Sequence, residues 1–297
     1  LGDLRYIYTP GVARVARAIE AEPRHAWDYT SVGHSVGIFT NGSRVLGLGN
    51  IGPLASLPVM EGKAVLYDKF AGLSATPILI DTLDADEFIQ TVVRVSRSFG
   101  GIHLEDIRSP ECFKIESELR RLLKKPVMHD DQHGTAVVTL AAIINACRIT
   151  GLALKQSKLG QIGLGAAGSA IAKLALAYGV GSVLVNDRSP EAVAALREQG
   201  ARPAELATIL AEAEIVVCTT GQVGLIDPQK VRPGQVIFAL SNPIPEIEPD
   251  TARAAGAAYA ADGTSINNAL AFPGIFKGAL LSRCSTIHPQ MYIAAAE

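Results

Sequence analysis

Apolar and polar positions change period along the chain, and the pattern is most regular in its second half. Residues 158–162 read as a strand, 169–178 as an Ala-rich helix, and 183–185 as a strand closing at Asn186-Asp187. A further helix follows Pro190, and 215–218 and 236–240 read as two more buried strands. Continuous apolar strands separated by helices predict a parallel sheet covered on both faces.

The first half alternates less regularly. Runs at 36–40 and 44–48 flank Asn41-Gly42 and predict a two-residue hairpin, because a type I′ turn needs φ > 0 at both central positions. Residues 75–80 read as a strand. Residues 84–99 predict an amphipathic helix with Phe88, Val92, Val95 and Phe99 at helical spacing. Two short strands follow, 102–104 ending at Glu105-Asp106 and 127–128 ending at Asp130-Asp131. Between them lies a helix that Pro110 opens and that runs to 123. A long apolar helix over 134–149 reads as a buried connector.

Composition narrows the class. The 297 residues give room for two domains. Hydrophobic residues are 48% and charged residues 19%, which excludes a disordered chain. The formal net charge of −2 lacks the basic excess of a nucleic-acid binder, so no such partner is expected. Cys112, Cys147, Cys218 and Cys284 form no C-x-x-C pair and read as reduced thiols. No apolar run reaches the roughly 18 residues that span a bilayer, and residues 1–5 do not resemble a signal peptide. A cytoplasmic protein with no membrane partner is expected.

Two constellations carry chemistry. Gly163-x-Gly165-x-x-Gly168 sits between a strand and a helix, the context in which such a triplet cradles a dinucleotide pyrophosphate. The glycines allow a tight turn and close backbone approach. Ala166 and Ala167 begin a helix whose free N–H groups and dipole face the anion. Asp187 closes the next strand about 20 residues on, placed for ribose hydroxyls. Its carboxylate disfavours a 2′-phosphate, so NAD is expected. Arg188 beside it can stack on adenine or reach that phosphate, which keeps NADP as the alternative.

Glu105, Asp106 and Asp131 fall at the ends of two predicted strands, where ligands gather in open α/β sheets. Oxygen-only ligands suit Mg²⁺ or Mn²⁺. The same acids can also be solvated or cap helices, and spacing leaves both readings open. His129 and His133, four apart, offer a rival Zn²⁺ reading, although His129 falls before the helix and the two rings need not share a face.

Longer segments carry a resemblance. Tyr8-Thr9-Pro10-Gly11-Val12-Ala13, the run 41–52 beginning Asn41-Gly42-Ser43-Arg44, and Pro58-Val59-Met60-Glu61-Gly62-Lys63 come first. Leu104-Glu105-Asp106, His129-Asp130-Asp131-Gln132-His133-Gly134-Thr135-Ala136, Ser241-Asn242-Pro243 and the run 267–274 beginning Asn267-Asn268 follow in order. Across essentially the whole chain these resemble the malic enzymes, in particular the short bacterial form.

The resemblance implies oxidative decarboxylation of malate to pyruvate and CO₂, with reduction of NAD or NADP and dependence on Mg²⁺ or Mn²⁺. It implies an α/β fold of two domains. The smaller, an α/β substrate and metal domain, is expected over 1–133. A Rossmann-type parallel-sheet nucleotide-binding domain is expected over 134–275, and a C-terminal helical segment over 276–297. Lys63 would be the general base and Tyr8 the general acid. Glu105, Asp106 and Asp131 would bind the metal, with Asp130 behind them. Arg44 would hold a malate carboxylate, and Asn242, Asn267 and Asn268 would line the malate and nicotinamide site.

A lysine is a poor base at its ordinary pKa of about 10.4, and burial with a nearby cation is expected to lower it. A homodimer or higher oligomer is also implied, and Ala-rich helices near both chain ends are consistent with buried interfaces. The run 261–266 is shorter than the family's usual loop there. Two alternatives stand beside this reading. One is a malolactic-type decarboxylase that retains its cofactor, although the likeness is not to those larger chains. The other is a non-catalytic nicotinamide sensor, which would have no need of Tyr8, Lys63 and the acids.

Overall fold

Two parallel sheets organise the computed structural model, which describes residues 4–45 and 47–297. Leu46, inside the 41–52 segment, and residues 1–3 lie outside the described residues. The first sheet has the order β2-β1-β3-β4, with β1 Ser35–Thr40, β2 Ser74–Leu79, β3 Gly101–Leu104 and β4 Val127–His129. Helices α1 Leu4–Ile7, α2 Val12–Ala21 and α3 His25–Tyr29 precede it. Its crossovers are α4 Gly52–Ala71, α5 Ala85–Val95 and α6 Glu111–Leu122.

α7 Asp130–Thr150 leaves β4 and leads into the second sheet, of order β10-β9-β8-β5-β6-β7. Its strands are β5 Lys158–Ile162, β6 Ser182–Asn186, β7 Arg202–Pro203, β8 Ile215–Cys218, β9 Val236–Ala239 and β10 Tyr259–Asp262. α8 Ala166–Tyr178, α9 Pro190–Arg197, α10 Leu206–Glu212 and α11 Pro249–Ala254 accompany them. α12 Phe272–Leu281 returns to pack on α4, and α13 Pro289–Ala296 packs on α7.

Each sheet has a point where the chain turns back on its strand order. In the first sheet β2 lies on one side of β1 and β3 on the other. In the second, β6 lies on one side of β5 and β8 on the other, which is Rossmann-type topology. Crevices open at the carboxyl ends of such strands. Every residue of β1, β8 and β9 is buried, and β8 and β9 read as unbroken apolar runs. One apolar core runs through both sheets by way of α7, joining Val36, Met60, Leu140, Ile143, Val217 and Phe238. The expected boundaries at 133/134 and 275/276 fall inside the continuous helices α7 and α12.

Two expectations are corrected. The 36–48 hairpin does not form, because β1 pairs in parallel with β2 and β3. Only Gly42 has positive φ, +62°, so Asn41-Gly42 cannot make a type I′ turn. The connector helix begins at Asp130 rather than 134, which puts Asp130 and Asp131 in its first turn, where the helix dipole favours acids. α7 is also long and apolar enough to cross a bilayer by length and composition. Half of that stretch is buried inside the fold, packed on α8 and α13.

Among the elements without a forecast, the one that matters for the site is α4. α4, twenty residues long, has Pro53 in its first turn, Pro58 inside it and no clear apolar stripe. Pro53 suits a first turn, but a proline inside a helix, as Pro58 is, ordinarily argues against a continuous one.

Candidate active site

At the carboxyl end of β1 the chain folds back on itself. Asn41 Oδ1 accepts from Ser43 N at 3.2 Å and Ser43 Oγ at 2.6 Å. A Cβ on Gly42 would meet the Gly52 carbonyl at 2.1 Å, so the two ends of the 42–52 loop touch only because this residue is glycine. The loop is tied to the end of β3. Arg44 N donates to the Asp106 carbonyl at 3.0 Å, and Arg108 N donates to Ser43 Oγ at 3.0 Å. Arg44 is thereby held beside the acids, its side chain exposed.

Those acids converge. Carboxylate oxygens of Glu105, Asp106 and Asp131 lie within 4.8 Å of one another. Asp106 adopts φ +54°, a left-handed conformation uncommon outside glycine, and its N–H donates to Asp131 Oδ2 at 2.9 Å. Burial and the Glu105 and Asp131 charges push the Asp106 carboxyl up to about 8, and burial and Glu105 push Asp131 up to about 6. Asp106 Oδ2 is buried without a hydrogen-bond partner. An orphaned oxygen among mutually repelling, oxygen-only donors fits a hard divalent cation.

A second trio, His103, Glu105 and Asp130, is equally close-set, but a cation already serves it. Lys63 Nζ donates to Asp130 Oδ2 at 2.6 Å and lies 3.0 Å from Glu105 Oε1 and 4.7 Å from the centre of the Phe272 ring. The expected lowering of Lys63 does not come from burial alone. Burial does pull the ammonium down, but the Asp130 and Glu105 charges outweigh it and hold Lys63 above its ordinary value. Glu105 and Asp130 are themselves raised by burial, against the pull of Lys63.

Behind Glu105 stand two residues that sequence reading missed. His103, fully buried, has Nε2 2.6 Å from Glu105 Oε2 and Nδ1 2.8 Å from the Tyr67 hydroxyl. Burial pushes the imidazole down to about 3, so it is neutral. Local spacing places these residues on shared faces of their own elements but does not bring the two elements together. His103 and Glu105 are i, i+2 at the end of a strand, and Lys63 and Tyr67 are i, i+4 on a helix.

The other expected residues divide. Asp131, Arg44, Asn242, Asn267, Asn268 and Gly165–Gly168 border one cleft of about 530 Å³. Lys63, Glu105 and Asp106 lie buried behind Asp131. A Cβ on Gly168 would meet the Gly163 carbonyl at 1.9 Å, which explains the third glycine of the loop. Asp187 accepts from Leu164 N at 2.5 Å and Ser189 N at 2.8 Å, pinning the glycine loop to the end of β6. Arg188 beside it is exposed. On the far side of Gly165 and Asp187 lies a larger cavity of about 1360 Å³, between α6, α7, α8, α9 and α13.

Glu246, another residue the sequence reading missed, accepts from Thr220 and Ser241 and ties together the loops after β8 and β9. Tyr8 is not brought to the acids. It is 71% exposed on an N-terminal segment where Tyr6 and Ile7 are exposed too. His129 and His133 do not converge. His133 contacts Glu116 and stacks on Tyr292, whereas His129 Nε2 faces Asp131 Oδ2 at 3.4 Å.

Comparison with known proteins gives a consistent answer. The family model "Malic enzyme, N-terminal domain" matches residues 2–120, and "D-isomer specific 2-hydroxyacid dehydrogenase, NAD binding domain" matches 128–222. NAD-dependent malic enzyme 1 of Bacillus subtilis (strain 168) is 56% identical over 298 residues, covering 100% of this chain and 68% of that protein. The bifunctional malic/malolactic enzyme of the same organism is 42% identical, covering 99% of this chain and 77% of that protein. The crystal structure of malic enzyme from Pyrococcus horikoshii superposes with a TM-score of 0.90 at 40% identity, covering 99% of this chain and 75% of that one.

Proposed function

The chain belongs to the malic enzyme family, and from that premise we propose that it oxidises and decarboxylates malate to pyruvate and CO₂, using NAD and a divalent cation. The observation that carries this reading is the meeting of Arg44, Lys63, Glu105, Asp106 and Asp131 at one switch point with the glycine loop of the other across a single cleft. Residues 1–133 would supply the substrate and metal half and 134–275 the cofactor half, with α7 continuous between them and 276–297 closing the chain as helix.

Glu105, Asp106 and Asp131 would hold Mg²⁺ or Mn²⁺. When bound, the cation would supply a Lewis acid for the charge that collects on the keto oxygen as CO₂ leaves, and NAD would supply the hydride acceptor. Arg44 would pair with a malate carboxylate from the rim of the cleft, while Asn242, Asn267 and Asn268 orient substrate and nicotinamide by their amides. Gly163, Gly165 and Gly168, with the first N–H groups of α8 at Ala166 and Ala167, would take the pyrophosphate.

Lys63 would accept the hydroxyl proton. It is an ammonium while Asp130 and Glu105 both face it, so it would first pass a proton to Asp130, its hydrogen-bonded partner, whose carboxyl burial raises, and further positive charge at Glu105 favours that loss. Tyr8 would return a proton to the C3 carbon. Its exposed segment also carries Leu4, Ile7 and Val12, apolar surface that a homodimer would cover, and contact across such an interface is how Tyr8 would meet substrate.

Asp187 supports NAD over NADP by charge, and the relative at 56% identity is NAD-dependent by name. Buried free Cys112, Cys147 and Cys218 suit a reducing cytoplasm. The test is the absorbance of reduced nicotinamide with malate and Mn²⁺, run separately with NAD and NADP. Growth with NAD is expected. Lactate without growth would replace this reading with the malolactic one, and silence in every combination would end it.

A further inference from the structure

Glu105 is gripped through both its oxygens by side chains one helical turn apart on α4. Lys63 reaches Oε1 directly at 3.0 Å. Tyr67, four residues on and therefore on the same face of the helix, reaches Oε2 through His103, by contacts of 2.8 and 2.6 Å. The direction of the chain follows from chemistry. An ionised Glu105 can only accept, so His103 Nε2 carries the proton. The neutral ring then offers a lone pair at Nδ1, and the Tyr67 hydroxyl donates to it. Phe272 stands edge-on to the imidazole at 5.2 Å and Phe276 stacks on it at 5.9 Å, leaving the ring no room to turn. Tyr67 and His103 are both fully buried.

We propose that Tyr67 and His103 are positioning residues, a dry brace that fixes the rotation of the Glu105 carboxylate so that it serves Lys63 and the cation site together. This rests on the reading of Glu105, Asp106 and Asp131 as the cation's ligands. Each Glu105 oxygen keeps a lone pair beyond the one the brace or the lysine uses, so the grip orients the ligand without consuming it. Partners that orient a ligating carboxylate typically change metal affinity about 10–100-fold when removed. Sequence spacing alone could not reveal the brace, because its members come from α4 and β3 and meet only in the folded core.

The experiment is Mn²⁺ titration of the intact protein without malate or NAD, reading free Mn²⁺ by electron paramagnetic resonance, with NAD affinity measured separately by fluorescence. Tyr67→Phe keeps the ring and removes one hydroxyl, and it is expected to weaken Mn²⁺ about 10-fold. His103→Leu is expected to weaken it further, and His103→Gln, whose amide N–H can still donate to Glu105, to recover part of the loss. NAD affinity should not move in any of them. If His103→Leu does not fold, Tyr67→Phe decides. Asp131→Asn separates the two levels of the argument. If it leaves Mn²⁺ binding intact, the cation site itself is wrong. If it weakens binding while Tyr67→Phe and both folded His103 variants match the native protein, only the brace is overturned. Equal losses of Mn²⁺ and NAD affinity would mean general damage to the core and would also overturn it.

Discussion

The switch point of the first sheet works with side chains, and that of the second works with backbone. Between β1 and β3 the groups that matter are Lys63, Glu105, Asp106, Asp130 and Asp131, charges held close together and, apart from Asp131 at the cleft, buried. Between β5 and β8 they are the N–H groups that follow Gly163 and Gly165, set by Asp187 from one side and by Thr219, whose hydroxyl donates to the Gly163 carbonyl, from the other. The first site keeps its shape by balancing charge, so protonation, metal and single charge changes should all move it. The second keeps its shape by leaving space, so added atoms should damage it while changes of charge nearby matter less. Each site should therefore fail in its own way and leave the other working.

The largest test of that separation is Lys63→Ala. General acid–base groups contribute about 10²–10⁴-fold to rate, and a fall of that size is expected in kcat for malate oxidation, with NAD affinity unchanged. The measurement is initial-rate kinetics beside an NAD fluorescence titration. Near-native turnover would remove Lys63 from the proton-transfer role. A matching loss of NAD binding would show that the two sites are not separable.

Gly168→Ala makes the converse test. The new Cβ would fall 1.9 Å from the Gly163 carbonyl, where backbone must yield. Overpacking of this kind costs about 1–3 kcal/mol, expected as roughly 10–100-fold weaker NAD binding, with Mn²⁺ affinity preserved. Native NAD affinity in a folded Gly168→Ala protein would mean that the loop adjusts more freely than its contacts indicate.

The same contrast explains what could be read from the sequence. The glycine loop and its sheet were legible because each element there is local: strand, triplet, helix and Asp187 follow one another in the chain. Glu105, Asp106 and Asp131 were legible as strand ends, but nothing local separated cation ligands from caps, and whole-chain resemblance had to make that choice. What was not legible depends on long-range packing. α4 was hidden by the interior Pro58 and by its lack of an apolar stripe, and with it the fact that Lys63 faces Asp130. Tyr67 and His103 looked like core residues, and they are core residues, distinguished only by what they touch. Asn41-Gly42 misled because a turn-forming pair says nothing about whether the following segment has a strand to pair with; here it docks on Asp106 instead.

The smallest expected effect is also the most particular to the first site. In the metal-free protein Asp106 is pushed from its ordinary 3.8 up to about 8, by burial first and by Glu105 and Asp131 next, and Asp131 is pushed up to about 6. Between those folded values and 3.8 the native state holds protons that the unfolded chain has released, so stability falls as pH rises. The contribution is fully present below pH ~4 and is lost through pH ~8 for Asp106. Metal reverses the sign, because ligating carboxylates must be deprotonated and binding strengthens as pH rises. Thermal unfolding from pH 5 to 8 should then show a midpoint that declines in EDTA, less steeply in Asp106→Asn. The gain from MnCl₂ should widen over the same window. The difference between native protein and Asp106→Asn isolates this cluster from every other titrating group. If the two profiles in EDTA run parallel, the acids are not crowded in solution as they are here, and the charge-balanced account of the first site fails while the backbone account of the second stands.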